Sequence, residues 1–463
     1  MPAQKTEAPV FRATDLKALE DAARRAMTYL QGVASRPVAP PLSAVQDLEQ
    51  LGGTLPASGS DPHTVIELLD RVGSPATVAN AGGRFFGFVN GGSVPASVAA
   101  AWMVSAWDQN CNLRVMSPAT ATIEDIALGW VKDLLGLPAE CGGGLVTGAT
   151  MANFSGLAAA RHSVLKRVGW DVENDGLFAA PPLKVVVGGE VHASVAKGLG
   201  LLGLGRTRLT RVPVDGQGRM RPDRLPSLDD RTILCLQAGN VNTGAFDPAS
   251  EIIPAAHAAG AWVHVDGAFG LWAAASPRHR HLTKGFEQAD SWSTDAHKWP
   301  NVGYDCGIVL VRDASALRSV MGISAPYIPP GALREPAQYT PEMSRRARGV
   351  ELWAALRSLG REGIAALVDR TCAHAQRFAA GLREAGFEIL NDVVINQVLV
   401  SFGSPEITRA VIDRIQQDGT CWCGPTEWQG RTAMRISVSS WATANDDVEM
   451  SLAAIIRIAR EVK

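Results

Sequence analysis

Ala261-Trp262-Val263-His264-Val265-Asp266-Gly267-Ala268 and, further along, Ser291-Trp292-Ser293-Thr294-Asp295-Ala296-His297-Lys298-Trp299 are the stretches on which the fold turns. The first is an apolar run that closes on a carboxylate and two small residues, so Asp266 falls at the carboxyl edge of a strand. The second is a strand-like segment, 291–294, that delivers Lys298 just past its own end. Working outward, residues 183–187, 232–236, 261–265 and 308–311 read as strands, and 120–135, 151–167 and 194–202 read as helices between them. Strands that alternate with helices imply parallel pairing through crossover connections, hence an α/β, doubly wound, mostly parallel sheet. This large domain is expected over 81–325.

The flanks have a different texture. Residues 1–80 hold two amphipathic helical stretches, 16–33 and 63–72, joined by a proline-rich piece at 37–41, and read as a helical arm. Residues 326–341 are proline-rich and read as a mobile loop. From 342 to 463 a helix rich in Arg and Ala is followed by alternating stretches around Val398 and at 435–438, the pattern of a smaller α+β domain. The chain has 463 residues, too many for one compact core, and a net charge of -2, which leaves no electrostatic footprint for nucleic acid or an anionic membrane. Residues 1–17 lack a signal-peptide core and no apolar stretch reaches membrane-spanning length, so the cytoplasm and small-molecule partners are expected. Seven cysteines, with Cys235 and Cys306 inside apolar runs, read as reduced core thiols. Cys421-Trp422-Cys423 lacks a second ligand pair, so no metal is expected.

Ligands of open α/β sheets bind beyond the carboxyl ends of the strands. A carboxylate placed there can keep a cofactor's ring nitrogen protonated, and a pyridinium draws electrons only while charged. Asp266 meets that need, although it could equally cap the next turn. Lys298, flanked by apolar and aromatic residues, can lose its charge by partial burial and act as a Schiff-base amine; alone it would read as a solvated surface lysine. Gly142-Gly143-Gly144-Leu145-Val146-Thr147-Gly148-Ala149-Thr150 leads into a helix, and a glycine-rich turn there offers backbone N–H groups and the helix dipole to a phosphate. His192 follows the strand at 183–187 and can stack on a flat ring, or be a satisfied polar residue. The order of phosphate cradle, His, Asp and Lys selects the cofactor reading.

These residues resemble those of the pyridoxal-5'-phosphate (PLP)-dependent group II amino-acid decarboxylases, the relatives of aromatic amino-acid, glutamate and cysteine-sulfinate decarboxylases. The likeness runs from about Arg84 to Trp353. It is carried by Phe85-Phe86-Gly87-Phe88, Ser117-Pro118-Ala119 leading to Glu124, residues 147–153, His192, His264 to Ala268 and Asp295 to Trp299, with a weaker continuation at 435–438. The resemblance implies the PLP-dependent transferase-like fold, type I. It implies Lys298 as the lysine holding PLP as a Schiff base, Asp266 as partner of the pyridine nitrogen and His192 stacked on the ring. Ala149, Thr150 and His297 are implied at the phosphate, with Asn240 and Ala268 lining the ring. It further implies a homodimer with the active site at the subunit interface, the arm wrapping the neighbour.

PLP chemistry alone does not choose among decarboxylation, transamination, racemisation and retro-aldol cleavage, because orientation at Cα decides. In the family a loop tyrosine supplies the proton after carbon dioxide leaves. Tyr327 in Ala325-Pro326-Tyr327-Ile328 resembles it, with His192 or Tyr339 as the other candidates. Decarboxylation of an L-amino acid to its amine is therefore expected. A shorter distance from Tyr327 to Ser344-Arg345-Arg346 keeps carbon–carbon lyase chemistry as the alternative, followed by a non-catalytic PLP-fold binding protein. The substrate-facing stretches, Phe88-Val89-Asn90-Gly91 and Asn110-Cys111-Asn112-Leu113-Arg114, are more polar than an aromatic pocket needs. Arg114 is placed to bind a distal acidic group, or to pair with Glu124 or Asp125.

Overall fold

The strands that carry Asp266 and Lys298 lie side by side at the centre of a seven-stranded sheet in the computed structural model, which describes residue 11, residues 13–322 and residues 333–462. Ahead of the sheet come α1 (Ala13–Gly32), α2 (Leu42–Asp47) and α3 (Pro62–Ala76), in the stretch expected from sequence to be an arm. α3 starts where its pattern says it should, with Pro62 at the first position and the Asp61 side chain accepting the His63 N–H. Arg25 clamps α1 to α3, reaching Asp21 at 2.7 Å and Asp70 at 3.0 Å. α4 (Pro95–Trp107) and α5 (Pro118–Leu135) then lead into the sheet.

The strands are β1 (Gly142–Val146), β2 (Lys184–Gly188), β3 (Leu209–Val212), β4 (Thr232–Gln237), β5 (Trp262–Asp266), β6 (Ser291–Asp295) and β7 (Gly307–Val311), in the order β1-β7-β6-β5-β4-β2-β3. From β3 to β6 all neighbours are parallel; β7 runs antiparallel to both β6 and β1. Between and after the strands come α6 (Ala149–Arg167), the short α7 (Val172–Asp175), α8 (Ala193–Leu201), α9 (Ala249–Ala258) and α10 (Ala314–Met321). Leu157, Val164, Val195 and Leu199 cover one face through Val185, Val187 and Val309, while Leu128, Val131, Ile252 and Ile253 cover the other through Leu234, Val263 and Leu310. Two covered faces explain why the central strands read as apolar runs. This is the doubly wound sheet of the sequence reading, and fold type I.

The glycine-rich stretch needs a correction. Residues 142–146 are not a turn but β1, buried throughout and laddered to β7. A Cβ at Gly143 would come within 2.8 Å of the Val309 carbonyl oxygen, and one at Gly144 within 2.7 Å of the Tyr339 oxygen. The triplet thus permits close backbone approach on both sides of an edge strand, and only Thr147-Gly148 form the turn into α6.

After β7 the chain passes to α11 (Arg348–Glu384), broken at Gly360, whose φ of 63° is left-handed. A second, antiparallel sheet follows, built from β8 (Glu388–Ile389), β9 (Gln397–Ser401), β10 (Gly424–Trp428) and β11 (Arg431–Ser437) in the order β10-β11-β9-β8. α12 (Pro405–Asp418) and α13 (Asn445–Val462) pack with it. Phe86 is threaded into this sheet: its N–H donates to Trp422 O at 2.8 Å, its carbonyl accepts from Ser437 N at 2.9 Å, and its ring is buried edge-on against Phe378. The chain then returns to the large sheet, where a Cβ on Gly91 would lie 1.9 Å from Lys298 O. All seven cysteines are buried and unpaired. Among the described residues no helix is long and apolar enough to cross a membrane.

Candidate active site

β5 and β6 end together, and what they carry meets there. Asp266 is buried; its Oδ1 accepts the Ala268 N–H at 3.3 Å, and its Oδ2 faces Asn153 Nδ2 at 3.3 Å and Ser194 Oγ at 3.4 Å. Lys298 extends from the turn after β6 with its ammonium 3.3 Å from Asp295 Oδ2 and 6.0 Å from the Phe269 ring centre. His192 is the N-cap of α8, its Nδ1 accepting the Ser194 N–H at 3.2 Å. Burial pushes this imidazole below its ordinary pKa, against the pull of Asp266, and the positive charges of Lys298 and Arg435 push the same way as burial. The structure thus brings His192, Asp266 and Lys298 to one edge of the sheet.

A second group of donors gathers at the start of α6. Gly148 precedes Ala149 and Thr150, and no side chain caps the helix. His297 Nδ1 accepts the Cys306 N–H at 3.0 Å, so the neutral ring carries its hydrogen on Nε2. A Cβ on Gly148 would stand 3.2 Å from His297 Cε1, and one on Gly307 would stand 2.4 Å from Gly148 Cα. Two glycines therefore let the α6 start, β7 and His297 converge. Beside them Asp295 Oδ1 and Thr294 Oγ1 are buried without a hydrogen-bond partner.

Other expected residues are placed differently. Asn240 is buried, but its carboxamide serves its own turn, accepting from Asn242 N at 2.9 Å and Thr243 N at 3.2 Å and donating to Gln237 at 3.2 Å. Ala268 sits on the turn beside Asp266. Arg114 pairs with Asp125 and donates to the Arg334 carbonyl at 2.9 Å, which is the plainer of its two readings. Tyr339 packs against Gly142 at the opposite end of β1 from the turn into α6, beneath the Arg334 guanidinium, away from Lys298. Tyr327 lies outside the described residues.

Two residues at the site were not foreseen. Tyr304 lays its ring on His297 with centres 4.4 Å apart, and its hydroxyl donates to Asn90 Oδ1 at 2.5 Å. Although the residue is more than half exposed, desolvation of its hydroxyl, with Asp295 adding, pushes this phenol up to about 12. Arg435 on β11 reaches the site from the second sheet and donates to Val241 O at 3.2 Å and Asn242 Oδ1 at 3.4 Å. Burial holds its guanidinium below the usual arginine range, and among the described residues no carboxylate pairs with it.

The residues fit PLP: hydrogen-bond donors and an uncapped helix start suit a phosphate, a buried carboxylate suits a ring nitrogen, and a partly buried lysine suits the aldehyde carbon. Fold and site together are those of a PLP enzyme of fold type I. Residues 56–403 match the pyridoxal-dependent decarboxylase conserved domain, and the chain belongs to that family. It is 31% identical over 363 residues to the aromatic-L-amino-acid decarboxylase of Drosophila lebanonensis, covering 73% of this chain and 88% of that relative. With the aromatic-L-amino-acid decarboxylase of Bacillus atrophaeus it shares 24% identity across 94% of this chain and 93% of the relative. Its fold matches the crystal structure of Oryza sativa TDC with PLP and tryptamine at a TM-score of 0.90, with 23% identity, 98% of this chain and 99% of the other covered. The protein is a PLP-dependent amino-acid decarboxylase, and these likenesses favour decarboxylation over the lyase alternative.

Proposed function

We propose that Lys298 is the amine that holds PLP, Asp266 the partner of its ring nitrogen and His192 the ring stacked on its face, with Ala149, Thr150 and His297 at the phosphate and Asn240 and Ala268 beside the ring. One observation carries this reading: Asp266 and His192 share a single hydrogen-bonding neighbour, Ser194, at the same sheet edge as Lys298. When bound, the cofactor supplies an electron sink for the bond broken at Cα. Asp266, whose two oxygens accept from Ala268 N–H and Asn153 Nδ2, would be the carboxylate that pairs with the ring nitrogen and strengthens the sink. His192, neutral through burial, offers a flat face without a competing cation. Asp295 receives the Lys298 ammonium whenever that amine is free.

Every amino acid brings a carboxylate into the site, and Arg435 is a partly buried cation without a carboxylate partner among the described residues. We assign it to the substrate carboxylate. Tyr304 and Asn90, beside Lys298 through Gly91, form the polar wall against which the substrate side chain rests. Tyr327 stays in this proposal as proton donor on the strength of its sequence position. The uncovered apolar side chains of the arm and α4, among them Leu19, Leu30, Leu69, Trp102 and Met103, favour a homodimer that buries them. Purified enzyme given a panel of L-amino acids, aromatic ones first because the relatives are named for them, should release carbon dioxide and amine in equal amounts. Aldehyde and ammonia, or the two fragments of Cα–Cβ cleavage with the carboxylate retained, as the main products would overturn the reading.

A further inference from the structure

Beneath the site runs a buried chain of polar groups that the proposed roles do not use. Trp262 Nε1 donates to Ser291 Oγ at 3.0 Å, and Ser291 Oγ lies 2.8 Å from His264 Nδ1. His264 Nε2 lies 2.9 Å from Asn153 Oδ1, to which Ser293 Oγ also donates at 2.5 Å. On its other side Asn153 Nδ2 donates to Asp266 Oδ2 at 3.3 Å and to Ser194 Oγ at 3.1 Å, and Ser194 Oγ is 2.7 Å from His192 Nδ1. Asn153, Ser194, His264, Ser291 and Ser293 are all buried. Room for this chain under α6 comes from Gly156, where a Cβ would press to 2.8 Å of His264 Cε1.

Donor and acceptor rules fix the direction of every link but the one at the Ser194 hydroxyl. Indole N–H only donates, so Trp262 sets one end. A carboxylate only accepts, so Asp266 sets the other and forces the Asn153 amide nitrogen toward itself. Asn153 Oδ1 then faces His264, which must carry its hydrogen on Nε2 and accept the Ser291 hydroxyl at Nδ1. Ser194 Oγ accepts from Asn153, and its single hydrogen has two acceptors in reach, His192 Nδ1 at 2.7 Å and Asp266 Oδ2 at 3.4 Å. That nitrogen already accepts the Ser194 backbone N–H at 3.2 Å, so His192 holds its hydrogen on Nε2, the atom turned away from α8.

We propose that Asn153 is a positioning residue that couples Asp266 to His192: it orients the carboxylate directly and, by holding Ser194 Oγ, reinforces the Nε2–H tautomer of His192 that the Ser194 backbone N–H favours, leaving Nε2–H as a hydrogen-bond donor toward the site. The proposal rests on the site reading given above. The Asn153 carboxamide donates both to Asp266 and to Ser194, whose hydroxyl lies between Asp266 and His192.

The test uses the full-length chain with 15N-labelled histidine, His192 being identified by its loss in His192→Gln, together with equilibrium titration of PLP. In the wild type His192 should show the Nε2–H pattern; in Ser194→Ala and Asn153→Ala the Nδ1–H form should gain population, with the backbone N–H of residue 194 still favouring Nε2–H. Asn153→Ala should raise the PLP dissociation constant about tenfold to a hundredfold, the range seen when outer-shell partners of metal ligands are removed. Asn153→Ser, which keeps a hydroxyl at the junction, should recover part of that loss. The double variant Asn153→Ala/Ser194→Ala should lose at least about fivefold less affinity than the product of the two single effects. An unchanged tautomer with simple multiplication of the two losses overturns the coupling. If Asn153→Ala does not fold, the tautomer population and PLP affinity of Asn153→Ser decide the matter, an unchanged value of both overturning the proposal. A wild-type chain that binds no PLP at all defeats the site assignment instead, so the two failures are distinct.

Discussion

Arg435 shows what single residues reveal only in three dimensions. In sequence it is one arginine in an alternating stretch; in the fold it is carried by the second sheet to the edge of the first, where burial leaves its charge unanswered. A hydrogen bond to a charged group contributes about 1.5–3 kcal/mol, so Arg435→Met should raise KM for the amino acid about tenfold to a hundredfold. The amount of bound PLP should not change, and steady-state kinetics beside cofactor absorbance will show both. A variant with unaltered KM would move the carboxylate site elsewhere. Asp266, Lys298 and His192 stood out in the sequence because each follows directly on a strand-like run. Asn153, Tyr304 and Arg435 did not, since their meaning comes from partners more than a hundred positions away or on another element, and no local pattern encodes that.

Among the elements, β5, β6 and α6 were legible because two covered faces impose long apolar runs and a helical period. β1 was misread as a turn, since glycines carry no periodicity and its packing against residues 339–340 is non-local. β3 was missed altogether: at the sheet edge only Val212 of its four residues is buried, so the apolar signal is faint. The join between α5, β1 and the chain after residue 332 depends on Glu124, fully buried between Arg345 at 2.8 Å and Arg334 at 2.8 Å. Burial alone would raise this carboxyl, but the two guanidinium groups outweigh it and hold Glu124 below the ordinary glutamate value. Removing one member of a buried charge group costs about 3–5 kcal/mol, so Glu124→Gln should lower unfolding free energy by that order in neutral buffer. A depressed carboxylate contributes stability above its unfolded value of 4.5 and loses it as pH falls through the folded one. The gap between wild type and variant should therefore close as the medium is acidified below 4.5, as denaturant titrations at several pH values will report. A gap independent of pH would mean that the glutamate acts by shape and not by charge.

At the scale of the whole molecule, the site is a meeting of parts. The large sheet supplies Asp266 and Lys298, the start of α6 and the turn after β6 supply the donors proposed for the phosphate, and the second sheet reaches over with Arg435. The segment from Phe86 to Gly91 stitches the two sheets together and ends against Lys298. Alternating strands and helices made the large sheet readable from sequence, while the reach of the second sheet into the site is a property of the assembled chain. The account stands or falls on where the cofactor is attached. Holoenzyme reduced with borohydride, digested and mapped by mass spectrometry should carry one pyridoxyl group per chain, on Lys298. A pyridoxyl group on any other lysine, or none in an enzyme that still releases carbon dioxide from its amino acid, would contradict it.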